Sequence, residues 1–320
     1  MVPMQTSELT IPDHSFTRPF QRTLVVLAGP TASGKTALGI WLAKAFNTEI
    51  LSADSRQCFK ELNIGVARPD EEELAQVPHH FIASHSIYDK VNAGVFANYG
   101  LELLDRLFKK HRIVFMVGGT GLYIKALTEG IDQMPATPDH IREAITQQYQ
   151  QWGLAWLQRA VQQEDPIFWQ QAEKMNPQRL MRGLEFIRTT GNSITAFRKN
   201  EKQPRDFQVL NIALDLPREQ LYERINQRVD VMIAQGLENE VRDLYPLRHL
   251  NALQTVGYKE WYDYFEGRTS LSAVSALIQQ NTRHYAKRQI TWFKKQQDFR
   301  WFCPSDKENI LTCIQSHINT

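Results

Sequence analysis

What this chain lacks narrows its identity first. Cysteine is scarce: Cys58, Cys303 and Cys313 are the whole complement, odd in number and far apart. No C-x-x-C pair occurs, so neither a disulfide scaffold nor a structural zinc site is expected, and a reducing compartment suits the chain. Neither sign of charge dominates. Lys and Arg number 37 against 35 Asp and Glu, which leaves +2 over 320 residues. Any nucleic-acid footprint must therefore be local. No apolar run approaches the roughly 20 residues of a membrane span, and no apolar leader opens the sequence. A cytoplasmic protein with no membrane partner is the expectation. His79, His80 and His85 lack H-E-x-x-H spacing, and adjacent histidines point apart on regular backbone, so they predict no metal centre.

Against these absences stands one dense motif. Gly29, Pro30, Thr31, Ala32, Ser33, Gly34, Lys35 and Thr36 fit G-x-x-x-x-G-K-[ST], the phosphate-binding P-loop. Its flanks are right: residues 24–28 read as a buried strand and 37–45 as a helix. Glycines let the backbone curl until several N–H groups face one anion. The helix N-terminus adds positive potential. Lys35 supplies a full charge, and the Thr36 hydroxyl is suited to ligate Mg²⁺. The motif predicts binding of a di- or triphosphate. A bare glycine-rich turn without a ligand is the alternative, and both flanks disfavour it.

The first half alternates strand-like and helix-like segments. Residues 49–52 form a short strand, 95–110 a helix, 113–117 a fully apolar strand and 207–216 a further strand. Short apolar strands between helices predict an α/β fold: a P-loop NTPase-like parallel sheet flanked by helices. From about 132 to 197 strand-like runs vanish. Asn176-Pro177 reads as a helix start and Gly191 as its stop. The expected organisation is a loose tail over 1–22, a core over 23–131, a helical insertion over 132–200 and completion of the core with basic helices over 201–320. Long amphipathic helices are expected over 217–245 and 271–297.

Several residues carry more than one reading. The strand at 113–117 ends in Gly-Gly-Thr-Gly rather than the Asp that holds Mg²⁺ in ordinary P-loop NTPases. Strand ends of such sheets face the ligand crevice, so Thr120 is either beside the P-loop or part of a plain tight turn. Asp54, at another strand end, is a general base, an outer Mg²⁺ partner or a helix cap. Arg224 and Arg228 flank the apolar stripe of Leu221, Ile225, Val229 and Met232. They reach either an anion or nearby surface acids. In the insertion, Leu180, Leu184 and Ile187 mark a core face. Gln178, Arg179 and Arg182 suit phosphate and base contacts on RNA, or form a solvated face. The last long helix gathers Arg283, His284, Lys287, Arg288, Lys294 and Lys295, the strongest basic patch in the chain.

Together these pieces resemble the bacterial tRNA dimethylallyltransferase (tRNA isopentenyltransferase) family. The matching stretches are GPTASGKT at 29–36, LSADSRQ at 51–57, NIGVARP at 63–69, VPHH at 77–80 and VGGTGLY at 117–123. They continue with NPQRLMRGLEFIRTTG at 176–191, VGYKEW at 256–261 and TRHYAKRQITWF at 282–293. Residues 58–62 depart from the family pattern but touch no catalytic candidate. No zinc-finger tail of the eukaryotic members follows, which suits a bacterial-type enzyme. The resemblance implies attack by the exocyclic amine of adenosine 37 of tRNA on C1 of dimethylallyl diphosphate, with Mg²⁺ as cofactor. It makes Asp54, Thr120 and Arg224 catalytic, with Asp54 as base and the other two on the diphosphate. It assigns Asp54, Ser55, Arg56, Gln57, Thr120, Arg142, Gln178, Arg179, Leu180, Met181 and Arg182 to the anticodon stem-loop. An adenylate isopentenyltransferase acting on free AMP and a P-loop small-molecule kinase are the rival readings. A monomer is the default expectation.

Overall fold

The structure, a computed structural model, describes residues 21–132, 134–198, 201–296 and 298–319. The expected N-terminal tail, up to residue 20, lies outside them. By the density of internal contacts the chain forms two units. The first comprises Met1–Asp89, Glu102–Gly119 and Asp206–Thr320; the second comprises Lys90–Leu101 and Thr120–Arg205. The helical unit therefore extends beyond the 132–200 read from composition. It takes in part of the helix Ala93–Leu107 and the helix Gly121–Thr128.

The first unit is built on six parallel strands: β1 (Thr23–Ala28), β2 (Ile50–Ala53), β3 (His79–His80), β4 (Ile113–Gly118), β5 (Gln208–Leu214) and β6 (Arg300–Phe302). Their order is β3-β2-β4-β1-β5-β6. Every residue of β1, β2 and β4 is buried. This explains why they read as unbroken apolar runs, because a parallel sheet covered on both faces has no polar side. Val25, Leu27, Phe115, Val117, Ile212 and Leu214 pack with Leu38 and Leu42 of the helix Lys35–Ala45 and with Ile310 and Ile314 near the C-terminus.

The register decides where function can sit. Ala28 pairs with Gly118, and Gly118 pairs with Ala53. β1, β4 and β2 therefore end flush, and the next residues, Gly29, Gly119 and Asp54, leave the sheet at one edge. Gly118 permits this approach: a Cβ there would lie 2.3 Å from the Ala53 carbonyl oxygen.

β3 and β6 were not expected from the sequence. β3 is two histidines; His80 Nε2 lies 2.6 Å from Glu49 Oε2, and the His79 ring bonds the Val77 carbonyl. β6 is a three-residue strand at the far edge. The single helix expected over 217–245 is two, Arg218–Ala234 and Leu237–Leu244. Gly236, at φ 98°, adopts the left-handed conformation that ends a helix. The final long helix, Leu271–Lys294, stops short of the expected 297.

The second unit is helical. Asp139–Glu164 runs as one element with a kink at Gly153, whose φ is 68° and ψ −166°. Pro177–Thr190 begins as expected, with the Asn176 side chain accepting from the Arg179 amide and Pro177 in the first turn, and ends at Gly191. Ile145, Leu157, Val161, Phe168, Leu180 and Leu184 form its core.

Gly118→Ala must push two paired backbones apart, because the new methyl meets a carbonyl rather than a flexible side chain. The expected loss is about 1–3 kcal/mol, the usual cost of overpacking, seen as a lower melting temperature. Wild-type melting would refute the close strand contact.

Candidate functional site

The three flush strand ends open onto a cavity of about 890 Å³. Its lining includes Thr31, Lys35, Thr36, Asp54, Gly119 and Arg228. The P-loop leaves β1 through positive-φ residues, with Ala32 at 62° and Gly34 at 87°, and enters the helix Lys35–Ala45 with Gly34 as its cap. This backbone turns the loop around a point at the helix N-terminus, where donors and dipole favour an anion.

The charges in this cavity are poorly balanced. The Lys35 ammonium donates to the Pro30 carbonyl at 2.5 Å. Burial, aided by the nearby Arg228 charge and opposed by Asp54, pulls its pKa down to about 7. Burial also lowers the pKa of Arg228, with Glu73 as its counter-charge. Arg228 Nη1 lies 3.5 Å from Thr31 Oγ1. A polyanion entering here meets two desolvated cations on different elements.

Arg228, not Arg224, lines the cavity. Arg224 is exposed, and its Nη1 lies 3.9 Å from the point a Cβ on Gly34 would occupy, over the P-loop. Both arginines of the helix thus turn toward the loop. Helical spacing brought out their shared side but not which of them would be enclosed. Thr120 caps the helix Gly121–Thr128, directly after the cavity-lining Gly119.

Asp54 starts no helix; it caps a turn instead. Its Oδ1 accepts from the amides of Arg56 and Gln57 at 2.8 and 3.2 Å, which fixes the turn after β2. The same side chain lines the cavity and acts electrostatically on Lys35. Ser55 stands in that turn. Arg56 reaches the Asn251 carbonyl at 3.2 Å. Gln57 is committed elsewhere: its Nε2 donates to the carbonyls of Val66 and Ala67, at 3.3 and 2.9 Å. Its side chain also lines the cavity. Cys58, also beside Asp54, is fully buried, and desolvation pushes its thiol up to about 12, which keeps it protonated and inert.

The segment Gln57 braces, residues 63–67, forms a wall of the cavity. Its other anchor was not found from sequence. Glu240 accepts from the amides of Ile64 and Gly65 at 2.7 and 3.0 Å and from the Tyr258 hydroxyl at 2.5 Å. The Tyr258 ring, fully buried, fills the space a Gly65 side chain would need. A glutamate inside an amphipathic helix gives no sign of a partner this remote in the chain.

In the second unit Glu185, 9% exposed, gathers two of the predicted arginines. Arg142 Nε lies 3.6 Å from its Oε1, and Arg182 Nη1 lies 3.6 Å from its Oε2 and 3.0 Å from Thr137 Oγ1. Arg179 is exposed and pairs loosely with Glu173 at 3.4 Å. Arg198, absent from the sequence reading, joins this group: burial and the charges of Arg179 and Arg182 lower its pKa. Gln178 is exposed and Met181 half-buried. Leu180 is wholly enclosed in the core, so its side chain cannot meet RNA, contrary to its place among the expected contacts. Among the described residues no group of three or more His, Cys, Asp or Glu could hold a metal, and no helix is long and apolar enough to cross a membrane.

The sequence profile described as "IPP transferase" matches residues 57–296. A protein named tRNA dimethylallyltransferase from Christiangramia forsetii is 47% identical over 298 residues, which cover 93% of this chain and 99% of that protein. Another of that name, from Cytophaga hutchinsonii, is 45% identical over 92% of this chain and 97% of its own length. The crystal structure of the full-length tRNA isopentenylpyrophosphate transferase from Bacillus halodurans superposes with a TM-score of 0.69 at 31% identity, covering 93% of this chain and 97% of that one. A eukaryotic dimethylallyltransferase studied acting on tRNA shares the fold, with a TM-score of 0.69 at 23% identity.

The state of Lys35 carries a measurable consequence. With its folded pKa near 7, below the unfolded value of 10.5, it sheds its proton in the ligand-free protein above about pH 7. The folded form binds fewer protons than the unfolded one between these values, so this residue's cost to stability shrinks as pH rises through that window. Pyrophosphate should restore the ammonium. Calorimetric titration in buffers of different ionisation enthalpy should show proton uptake above about pH 7 that Lys35→Met abolishes. Equal uptake by wild type and variant would refute the assignment.

Proposed function

Since the chain belongs to the IPP transferase family, we propose that it transfers a dimethylallyl group from dimethylallyl diphosphate to the N6 amine of adenosine 37 in tRNA, beside the anticodon. The observation that carries this reading is the single cavity that a diphosphate cradle, Lys35 and Arg228, shares with the Asp54 carboxylate. Allylic C–O cleavage needs stabilisation of the departing charge, and attack by an amine needs a proton acceptor.

The N6 lone pair forms a bond to C1 of the donor as the C1–O bond breaks, and the diphosphate leaves with the bonding electrons. The P-loop amides, Lys35 and Arg228 meet this developing charge with preorganised donors, with Arg224 at the mouth of the loop. Adenine's amine is a weak nucleophile because its lone pair is delocalised into the ring. Asp54 takes the N6 proton as the new bond forms. Held by two backbone amides through Oδ1, the carboxylate has little rotational freedom to lose. Thr36 is the residue that would hold Mg²⁺ directly, with Asp54 reaching the ion only through water. One hydroxyl and one carboxylate fit an ion that keeps most of its waters and binds largely through phosphate, and when bound it supplies further neutralisation of the diphosphate. Thr120 is assigned to the diphosphate by family likeness.

For the acceptor, the cluster of Arg142, Arg179, Arg182 and Arg198 suits a phosphate backbone. Arg56 and the exposed His284, Lys287 and Arg288 offer further cationic contacts. The target base must leave its stack to enter the cavity, and contacts elsewhere on the RNA offset that cost. A monomer acting in the cytoplasm, where its tRNA resides, completes the proposal. A small-molecule kinase fits less well, because β4 ends in Gly118, followed by Gly119, where such enzymes place a metal-holding Asp.

Two measurements test this. Asp54→Asn keeps shape and polarity but removes the base. Turnover is expected to fall about 10²- to 10⁴-fold, with little change in affinity for an anticodon stem-loop; near wild-type turnover would make Asp54 a turn-forming residue only. In the second, wild-type enzyme with saturating donor and Mg²⁺ is offered an anticodon stem-loop or AMP at equal concentration. AMP carries one phosphate and cannot engage separate arginine clusters, so only the stem-loop should be prenylated efficiently. Comparable rates would favour the AMP-dependent reading.

A further inference from the structure

The helix Leu271–Lys294 turns Val274, Ile278, Ala286 and Phe293 inward at helical spacing. Gln289 lies on the same side and is only 7% exposed. Its carboxamide is engaged at both ends. Oε1 accepts from the Thr31 amide at 2.8 Å, and Nε2 donates to the Gly119 carbonyl at 2.9 Å. A backbone amide can only donate and a carbonyl can only accept, so these partners fix which end of the carboxamide faces which loop. The fit is tight: a Cβ on Gly119 would lie 2.2 Å from Nε2 and 3.2 Å from the Gly29 carbonyl oxygen. The space that a side chain after β4 would occupy belongs to this carboxamide.

Position gives this bridge its meaning. Thr31 belongs to the cradle that leaves β1, and Gly119 follows β4, the strand between β1 and β2, after which Asp54 leaves the sheet. Thr31 also meets Arg228 through its hydroxyl, so a shift of Thr31 would be passed to the second cation. We propose that Gln289 is a positioning residue for group transfer: its carboxamide is a two-ended strut that fixes the spacing between the diphosphate cradle and the loop beside the base. In this role it acts through the two loops that it holds. The inference rests on the proposed prenyl transfer, in which C1 must lie in line between leaving group and amine. Small misplacements of such a geometry are costly to rate.

The strut requires an acceptor at one end and a donor at the other. A protonated glutamic acid has both; an ionised glutamate has lost the donor, and methionine of similar length has neither. Gln289→Met is therefore expected to lower kcat about 10- to 100-fold at every pH, with little change in KM for the stem-loop. Gln289→Glu should retain more activity at mildly acid pH and lose it, relative to wild type, as pH rises. A residue that merely fills space would not produce this opposite pH trend. Hydrogen exchange supplies a readout without catalysis: the Thr31 amide should be protected in wild type and exchange faster in Gln289→Met.

The outcomes are separable. If wild type prenylates the stem-loop but Gln289→Met matches its kcat, or Gln289→Glu follows the wild-type pH profile, the positioning role is overturned while the proposed function stands. If wild type fails to prenylate, the proposed function falls, and unchanged exchange at Thr31 in Gln289→Met would overturn the strut as well. If Gln289→Met does not fold, the pH profile and Thr31 exchange of Gln289→Glu decide the matter.

Discussion

The site depends first on a contact between backbones. β4 lies between β1 and β2, and at its last residue there is no side chain to hold the neighbouring strand away. Because Ala28, Gly118 and Ala53 are in register, the P-loop and the Asp54 carboxylate leave the sheet at the same height. A shift of one residue in β2 would send its buried side chains to the opposite face and move Asp54 by a strand step of about 3.3 Å. The apolar cover on both sheet faces makes that slip unfavourable. The packing of the core and the spacing of the reactive groups are thus one constraint.

Electrostatics pull against stability at this edge. Lys35 and Arg228 are held partly desolvated within range of each other, and Asp54 and Glu73 offset this only in part. A chain selected for folding alone would replace one of them with an uncharged residue. Such an arrangement suits the proposed anion site, in which the fold would bear the repulsion before the ligand arrives. The second unit applies the idea more gently, with Glu185 holding two arginines in place, Glu173 pairing Arg179, and Asp132 partly offsetting the charge around Arg198.

Features encoded locally were readable from the sequence. β1 and β4 announced themselves as buried apolar runs, the P-loop by its glycines, and the helix after Asn176-Pro177 by its cap and its stop at Gly191. What escaped was encoded at a distance or in too few residues. β3 and β6 are too short for any periodicity to show. Gly236 was read through because the apolar stripe around it continues, yet its left-handed backbone divides the helix. Arg228 could not be ranked above Arg224, since burial depends on what packs over a helix and not on its own spacing. Glu240 and Gln289 resembled ordinary surface and core-edge residues until the fold brought their partners to them.

The clasp on residues 63–67 also bears on how the molecule is made. Glu240 holds the Gly65 amide across 175 positions of sequence, and Tyr258 lies beyond it. A chain emerging from the ribosome therefore presents its P-loop and Asp54 long before it can finish the wall beside them. Until residue 240 is synthesised the 63–67 backbone lacks its acceptor, and until residue 258 it lacks the ring that covers it. The half-made protein thus has a phosphate cradle on an open ledge rather than in a cavity. Enclosure of the cavity comes only near the end of synthesis.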